Sequence, residues 1–167
     1  MKVYFSALLV LLSGFSLRAG TVTPEPFPPA RLSNLYVERD DNGATITVQS
    51  QGDAVVYKVT LGNKILENRT VNPSGDDWFQ FIQALNAAKV YKWAPKYYYP
   101  GQGPSWVIDL VMENRSFNSI GTNEYPKNGD ATQPAADPKA GPSIPFDLFW
   151  QAVLNLVGKT PPPPPPK

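Results

Sequence analysis

Cysteine and histidine are both missing from this chain of 167 residues, and each absence closes off chemistry. Without histidine there is no Ser-His-Asp or Cys-His triad, no imidazole metal ligand and no histidine pH switch. Without cysteine there is no disulfide framework, thiolate nucleophile, zinc or iron–sulfur ligation, and no lipid-modified cysteine. An excess of charge of either sign is missing as well. With 15 basic and 14 acidic residues the net charge is +1, which leaves no electrostatic footprint for nucleic acid or an anionic membrane surface.

Long hydrophobic runs are also lacking. From Val3 to Leu12 the chain is apolar except for Ser6, and Lys2 precedes it. That run is shorter than the ~20 residues needed to span a membrane, and it reads as the core of a secretory signal peptide over residues 1–19. Cleavage after Ala19, with Ser16 as the competing site, starts the mature chain near Gly20 and leaves it with a charge of −1, since Lys2 and Arg18 are lost. The expectation is an exported protein, periplasmic or extracellular, that is not a lipoprotein and has no membrane span in its mature form.

Proline is plentiful, at 19 residues, and ten of these lie outside the globular part. Residues 20–31 hold Thr21-Val-Thr-Pro-Glu-Pro-Phe-Pro-Pro29 and read as an extended leader. Residues 159–167 hold six consecutive prolines, Pro161–Pro166. Each proline fixes φ and lacks a donor, so this tail reads as a polyproline II rod, either a stiff spacer or a ligand for an aromatic groove.

Residues 32–158 suffice for one small domain without internal repeats. Two runs of β-formers, Leu32–Arg39 and Ala44–Ser50, flank Asp40-Asp41-Asn42-Gly43, and Asn-Gly between such runs predicts a hairpin. Val55–Leu61, with Val55, Tyr57, Val59 and Leu61 on one face, gives a third strand. Lys64–Val71 gives a fourth, near an edge. At Pro73–Asp77 the period changes: Ser74 or Asp76 suits a helix cap, and Trp78, Phe81, Ile82, Leu85 and Ala88 form an apolar stripe. Lys92–Pro104 reads as a loop because Pro and Gly interrupt it. Ser105–Glu113 is a strand with Trp106, Ile108, Leu110 and Met112 inward, returning after Asn114-Arg115 as Ser116–Gly121. Residues 127–143 read as a mobile insertion, and Pro145–Gly158 as a last helix with Ser143 as its cap and Gly158 as its stop. The predicted fold is α+β: an antiparallel sheet of about six strands in the order β-β-β-β-α-β-β-α, with two helices packed on one face.

Chemistry must then come from carboxylates, hydroxyls, amides, lysines, arginines and aromatics. Asp76 and Asp77 sit where helix caps sit, and neighbours there point apart. Asp109 and Glu113, four residues apart on a strand, are ~13 Å apart, too far for a retaining glycosidase pair. Asp40-Asp41-Asn42-Gly43 lacks the spacing of a calcium loop. No residue is therefore expected to be catalytic, to bind a cofactor or to ligate a metal.

Aromatics are the more informative group: Trp78, Trp93, Tyr97, Tyr98, Tyr99, Trp106 and Tyr125 cluster in and after the first helix. Exposed rings with a polar handle suit recognition of sugar or peptide, whereas buried ones close the sandwich. Three consecutive tyrosines cannot all face inward. The candidate binding set is Trp93, Tyr97, Tyr98 and Tyr99, with Asn123 and Tyr125 from the later Gly121-Thr-Asn-Glu-Tyr-Pro126 segment. As a plainer alternative, that segment is a structural corner, with Gly121 conformationally permissive, Asn123 forming a turn and Pro126 keeping Tyr125 out of helix.

The series of Trp78 in an acidic-capped helix, Trp93 and Tyr97 after it, Trp106 opening a strand, then Gly121, Asn123, Tyr125 and Pro126 resembles a family of uncharacterised secreted bacterial domains. The resemblance covers about residues 74–158, and the Gly-x-Asn-x-Tyr-Pro motif is its specific part. The family pattern has Asp-Gly-x-x-Trp before the strand, whereas this chain has Gly101-Gln-Gly-Pro-Ser105 and no acidic residue there. The resemblance implies a fold and an envelope location in bacteria, and it implies no reaction. The expectation is a non-enzymatic domain that binds a protein, peptide or glycan through its aromatic loop, in an oligomeric state that composition does not set. Two alternatives stand beside it: a carboxylate-dependent hydrolase of envelope polymers, and a structural or accessory protein with a polyproline spacer.

Overall fold

The period-2 alternation of the strands and the 3.6-residue stripes of the helices meet across one layer. The computed structural model describes residues 26–27, 32–41, 43–112, 115–135 and 141–159. Four strands come first, β1 (Asn34–Asp41), β2 (Ala44–Gln51), β3 (Ala54–Leu61) and β4 (Lys64–Val71), followed by helix α1 (Gly75–Ala87) and a 3-10 turn (Val90–Lys92). Then come β5 (Lys96–Tyr98), β6 (Ser105–Met112), β7 (Arg115–Thr122) and helix α2 (Ile144–Leu156). They form one seven-stranded sheet in the order β4-β3-β2-β1-β6-β7-β5. Every pairing is antiparallel except β5 with β7, which is parallel.

The α+β class and the two helices on one face stand as expected. The strand count differs, because β5 lies inside the segment read as a loop. The signal peptide, most of the leader, Asn42, Glu113 and Asn114, residues 136–140 of the expected insertion and residues 160–167 of the tail lie outside the described residues.

One face of the sheet is covered. In β6, Trp106, Ile108, Leu110 and Met112 are buried while the residues between them are only half buried. Leu35, Val37, Val48, Val55 and Tyr57 continue that face across β1, β2 and β3. Above it lie Trp78, Phe81, Ile82 and Leu85 of α1, and Phe146, Phe149, Trp150 and Val153 of α2. Each such side chain contributes about 1.5–3 kcal/mol by leaving water.

The helix ends show how local signals compete. Ser74 and Asp77 form a reciprocal capping box at α1: the Asp77 amide donates to Ser74 Oγ at 3.2 Å, and the Ser74 amide donates to Asp77 Oδ2 at 2.7 Å. Ser143 stands at the N-cap of α2, yet its hydroxyl makes no cap bond. Asn128 Oδ1, brought from sixteen residues earlier, accepts from the Ile144 amide instead, at 2.8 Å. At the far end Gly158, with φ of 64°, lets the Lys159 amide reach the Leu154 carbonyl at 2.8 Å, the pattern that ends many helices.

Two segments expected to be peripheral are tied to the core. Phe27 of the leader is buried. In residues 127–135, the Lys127 amide donates to Gln133, the Ala135 amide donates to Tyr125, and Ala131 is buried. The described part of the expected mobile insertion is thus held by backbone bonds, which small residues make as well as large ones.

Candidate functional site

β5 forms because two prolines bracket it. Pro95 and Pro100 flank Lys96–Tyr99, and proline disfavours helix in the residue before it, so the intervening chain stays extended. The Pro95 carbonyl accepts from the Ile120 amide at 3.1 Å, and the Tyr99 amide donates to Thr122 at 3.0 Å. Ser119 Oγ adds a bond to the Ala94 carbonyl at 2.6 Å. Once the segment is a strand, alternation sorts its rings.

Tyr97 points inward and is 1% exposed. Its hydroxyl accepts from the Ala94 amide at 2.8 Å and donates to the Ala131 carbonyl. Burial pushes the phenol up to about 12, because the phenolate would lose its hydration. The ring lies 5.7 Å from that of Trp106.

Trp93 is also buried, with its ring 5.8 Å from Trp106 and 5.6 Å from Phe149, and its Nε1 donates to the Ala88 carbonyl at 3.2 Å. Tyr125 is buried 4.8 Å from Phe146. These three rings belong to the core, so they cannot serve as an exposed recognition platform.

Asn123 closes the corner that the sequence suggested. It adopts φ of 53°, a region asparagine tolerates, and its amide donates to the Pro104 carbonyl at 2.9 Å. Its side chain lies so close to Gly103 that a Cβ there would come within 1.6 Å of Asn123 Oδ1. Gly121 is needed for a related reason and not for its conformational freedom: a Cβ would fall 2.1 Å from Cε2 of Trp106. Trp106 uses that space to donate from Nε1 to the Glu124 carbonyl at 3.0 Å.

Tyr98 and Tyr99 remain at the surface, 59% and 44% exposed. Tyr98 stands on the uncovered face, opposite Thr122, while Lys96 stands opposite the exposed Ile120. Lys96 Nζ lies 5.3 Å from the centre of the Tyr98 ring, within cation–π range. Lys96 and Ile120 were not singled out from the sequence; the alternation of a recognised β5 against β7 is the signal that finds them.

Carboxylates come nearest this patch at its Ile120 end, where Asp109 of β6 stands diagonally across from Ile120, ~7–8 Å away at the usual sheet geometry, and they stand farther from Tyr98. Asp40 shares its row through Thr122 and Ser105, three strands away and so ~14 Å distant at the usual strand spacing. Elsewhere on the uncovered face Tyr36 donates to Glu38 Oε2 at 2.5 Å, and chiefly through that bond its phenol rises to about 12. Asp77 is held low by its bonds from Ser74, first the hydroxyl and then the amide. Among the described residues no group of three or more acidic side chains is placed to hold a metal ion. Nor is any described helix long and apolar enough to cross a membrane.

Two concavities lie on the helical side, and the second is lined in part by Ala88 and Ala131, whose carbonyls accept from Trp93 and Tyr97. One of about 180 Å³ is lined by residues of both helices, including Asp77, Gln80 and Asn155. The other, of about 210 Å³, has Ile144 and Leu148 on its rim. Neither includes any of the six residues singled out from the sequence.

Fold and surface together define a small α+β domain on a mostly antiparallel sheet, with an aromatic pair displayed at one edge. Comparison with known protein families found no match, and comparison with curated proteins found none either.

Proposed function

We propose that this protein is an exported, non-enzymatic domain of the bacterial envelope or extracellular space that binds a protein, peptide or glycan through the Tyr98–Tyr99 edge. One observation carries the reading. Tyr98, the last residue of β5, and Tyr99, just beyond it, stand exposed while the preceding Tyr97 is locked in the core. Rings displayed this way on a rigid support lose little conformational entropy on binding, which is why tyrosine recurs at recognition surfaces. Lys96 and Ile120 extend the patch with a cation and an aliphatic side chain. Export rests on the Lys2-led apolar segment and on the resemblance to secreted bacterial domains.

Joint substitution Tyr98→Ala and Tyr99→Ala, followed by quantitative capture from the native envelope, tests the binding surface. At least one wild-type partner is lost from the variant while the fold is retained; an unchanged set of partners removes the proposal. Export has its own check, since N-terminal sequencing of the native protein should begin near Gly20, and an intact Met1-Lys2 would contradict it.

A further inference from the structure

Phe27 is held by a site with two separate grips. Asn86, in the last turn of α1, addresses its main chain. The Phe27 amide donates to Asn86 Oδ1 at 2.7 Å, and Asn86 Nδ2 donates to the Phe27 carbonyl at 2.9 Å. A side-chain amide that satisfies both backbone groups of one residue reads an extended chain as a neighbouring strand would. The ring is gripped elsewhere, edge-on to Tyr91 at 6.2 Å and to Phe117 at 6.0 Å. The Arg115 guanidinium carbon lies 4.7 Å from its centre. Three separate elements, α1, the 3-10 turn and β7, thus converge on one residue that is 3% exposed and 59 positions from Asn86.

The segment that carries Phe27 reads Pro26-Phe27-Pro28-Pro29. Prolines on both sides remove competing amide donors and favour extended backbone, so the residue between them arrives already shaped for such a site. Nothing in the grip depends on the covalent tie. Any aromatic residue between prolines meets the same amide, the same two rings and the same cation. The advantage of the leader is the local concentration given by the short connection to Leu32.

We propose that Asn86, Tyr91, Arg115 and Phe117 form a peptide-recognition site for an aromatic residue in an extended, proline-flanked segment. The chain's own leader is its resident ligand, and a partner protein's segment of the same kind displaces it. This site lies on the covered side of β7 and the Tyr98 patch on the other, so either can fail without the other.

The test uses the full chain carrying Phe27→Ala and the synthetic pentapeptide Glu-Pro-Phe-Pro-Pro, with Glu-Pro-Ala-Pro-Pro as control, measured by calorimetry. The variant should bind the phenylalanine peptide and not the control. Wild type should bind it at least tenfold more weakly, because the leader competes. Adding Asn86→Ala to the variant should weaken binding on the order of 10- to 100-fold, as expected for loss of two hydrogen bonds. A folded Phe27→Ala protein that ignores the peptide, or that binds both peptides equally, overturns the proposal. If Phe27→Ala unfolds the chain, the phenylalanine peptide should restore a cooperative melt, and failure to restore it overturns the proposal equally. Dimers of wild type that exchange leaders, seen by light scattering and abolished by Phe27→Ala, would replace the partner protein by a second copy and refute displacement by a foreign segment.

Discussion

The two edges of the sheet are built in opposite ways. β4 is eight residues long, antiparallel and irregular in register near Val59 and Thr60, which twists an edge away from further pairing. Charge holds it down: Glu67 meets Lys159 at 2.5 Å, and Arg69 donates to the Val157 carbonyl at the end of α2. β5 is three residues long, parallel to its neighbour and anchored from beneath by one ring, Tyr97. The long edge is thus closed by its surroundings, whereas the short edge is fixed from inside, leaving its outer side chains free of structural duty. A protein that displays Tyr98 and Tyr99 needs the second kind of edge, because a binding side chain must be positioned by something other than its own packing.

That contrast breaks most visibly at Tyr97. Replacing it by alanine should cost about 3–5 kcal/mol in urea denaturation, as for other large buried rings, and should free β5 from the sheet. Tyr97→Phe keeps the ring but leaves the Ala94 amide and the Ala131 carbonyl unpaired, at about 1–3 kcal/mol. The phenol also sets a pH dependence. Its folded value of about 12 lies above the unfolded value near 10, so its contribution is complete below pH ~10 and is lost as pH rises toward 12. Tyr36 titrates in the same direction and window, so the difference between wild type and Tyr97→Phe isolates the Tyr97 share. At the other edge Arg69→Ala should cost about 1 kcal/mol, its partly exposed contacts with Val157, Glu67 and Tyr57 together being worth less than a buried ring. Smallest of all, Tyr98→Ala with Tyr99→Ala should change stability by no more than about 0.5 kcal/mol.

How much of this was readable in the sequence depended on whether the signal was local. The apolar stripe from Trp78 to Ala88 and the alternation from Trp106 to Met112 are set by periodicity, and both faces are buried where expected. β5 escaped because its pairing partner lies more than twenty residues away and its own neighbours are prolines and glycines, which signal loops. Ser143 has the right chemistry and position for a cap, but Asn128 arrives through tertiary structure and satisfies the amide first. The candidate set of six split for the same reason. Residue type marked Trp93, Tyr97 and Tyr125 as much as it marked Tyr98 and Tyr99, and the alternation of β5, its end at Tyr98 and the corner at Asn123 decide which rings face the core. Phe27 gave one clue, its place between prolines, but its partner Asn86 is an ordinary helix residue until the fold brings them together.

The central claim, that β5 and the residue after it divide their tyrosines between holding the fold and meeting a partner, is tested most directly by nitration with tetranitromethane read out by mass spectrometry. With native protein, Tyr98 and Tyr99 should be modified rapidly while Tyr97 and Tyr125 stay unmodified, and a captured envelope partner should protect the first pair alone. Modification of Tyr97 at the rate of Tyr98, or no protection of Tyr98 and Tyr99 in the complex, would contradict the account.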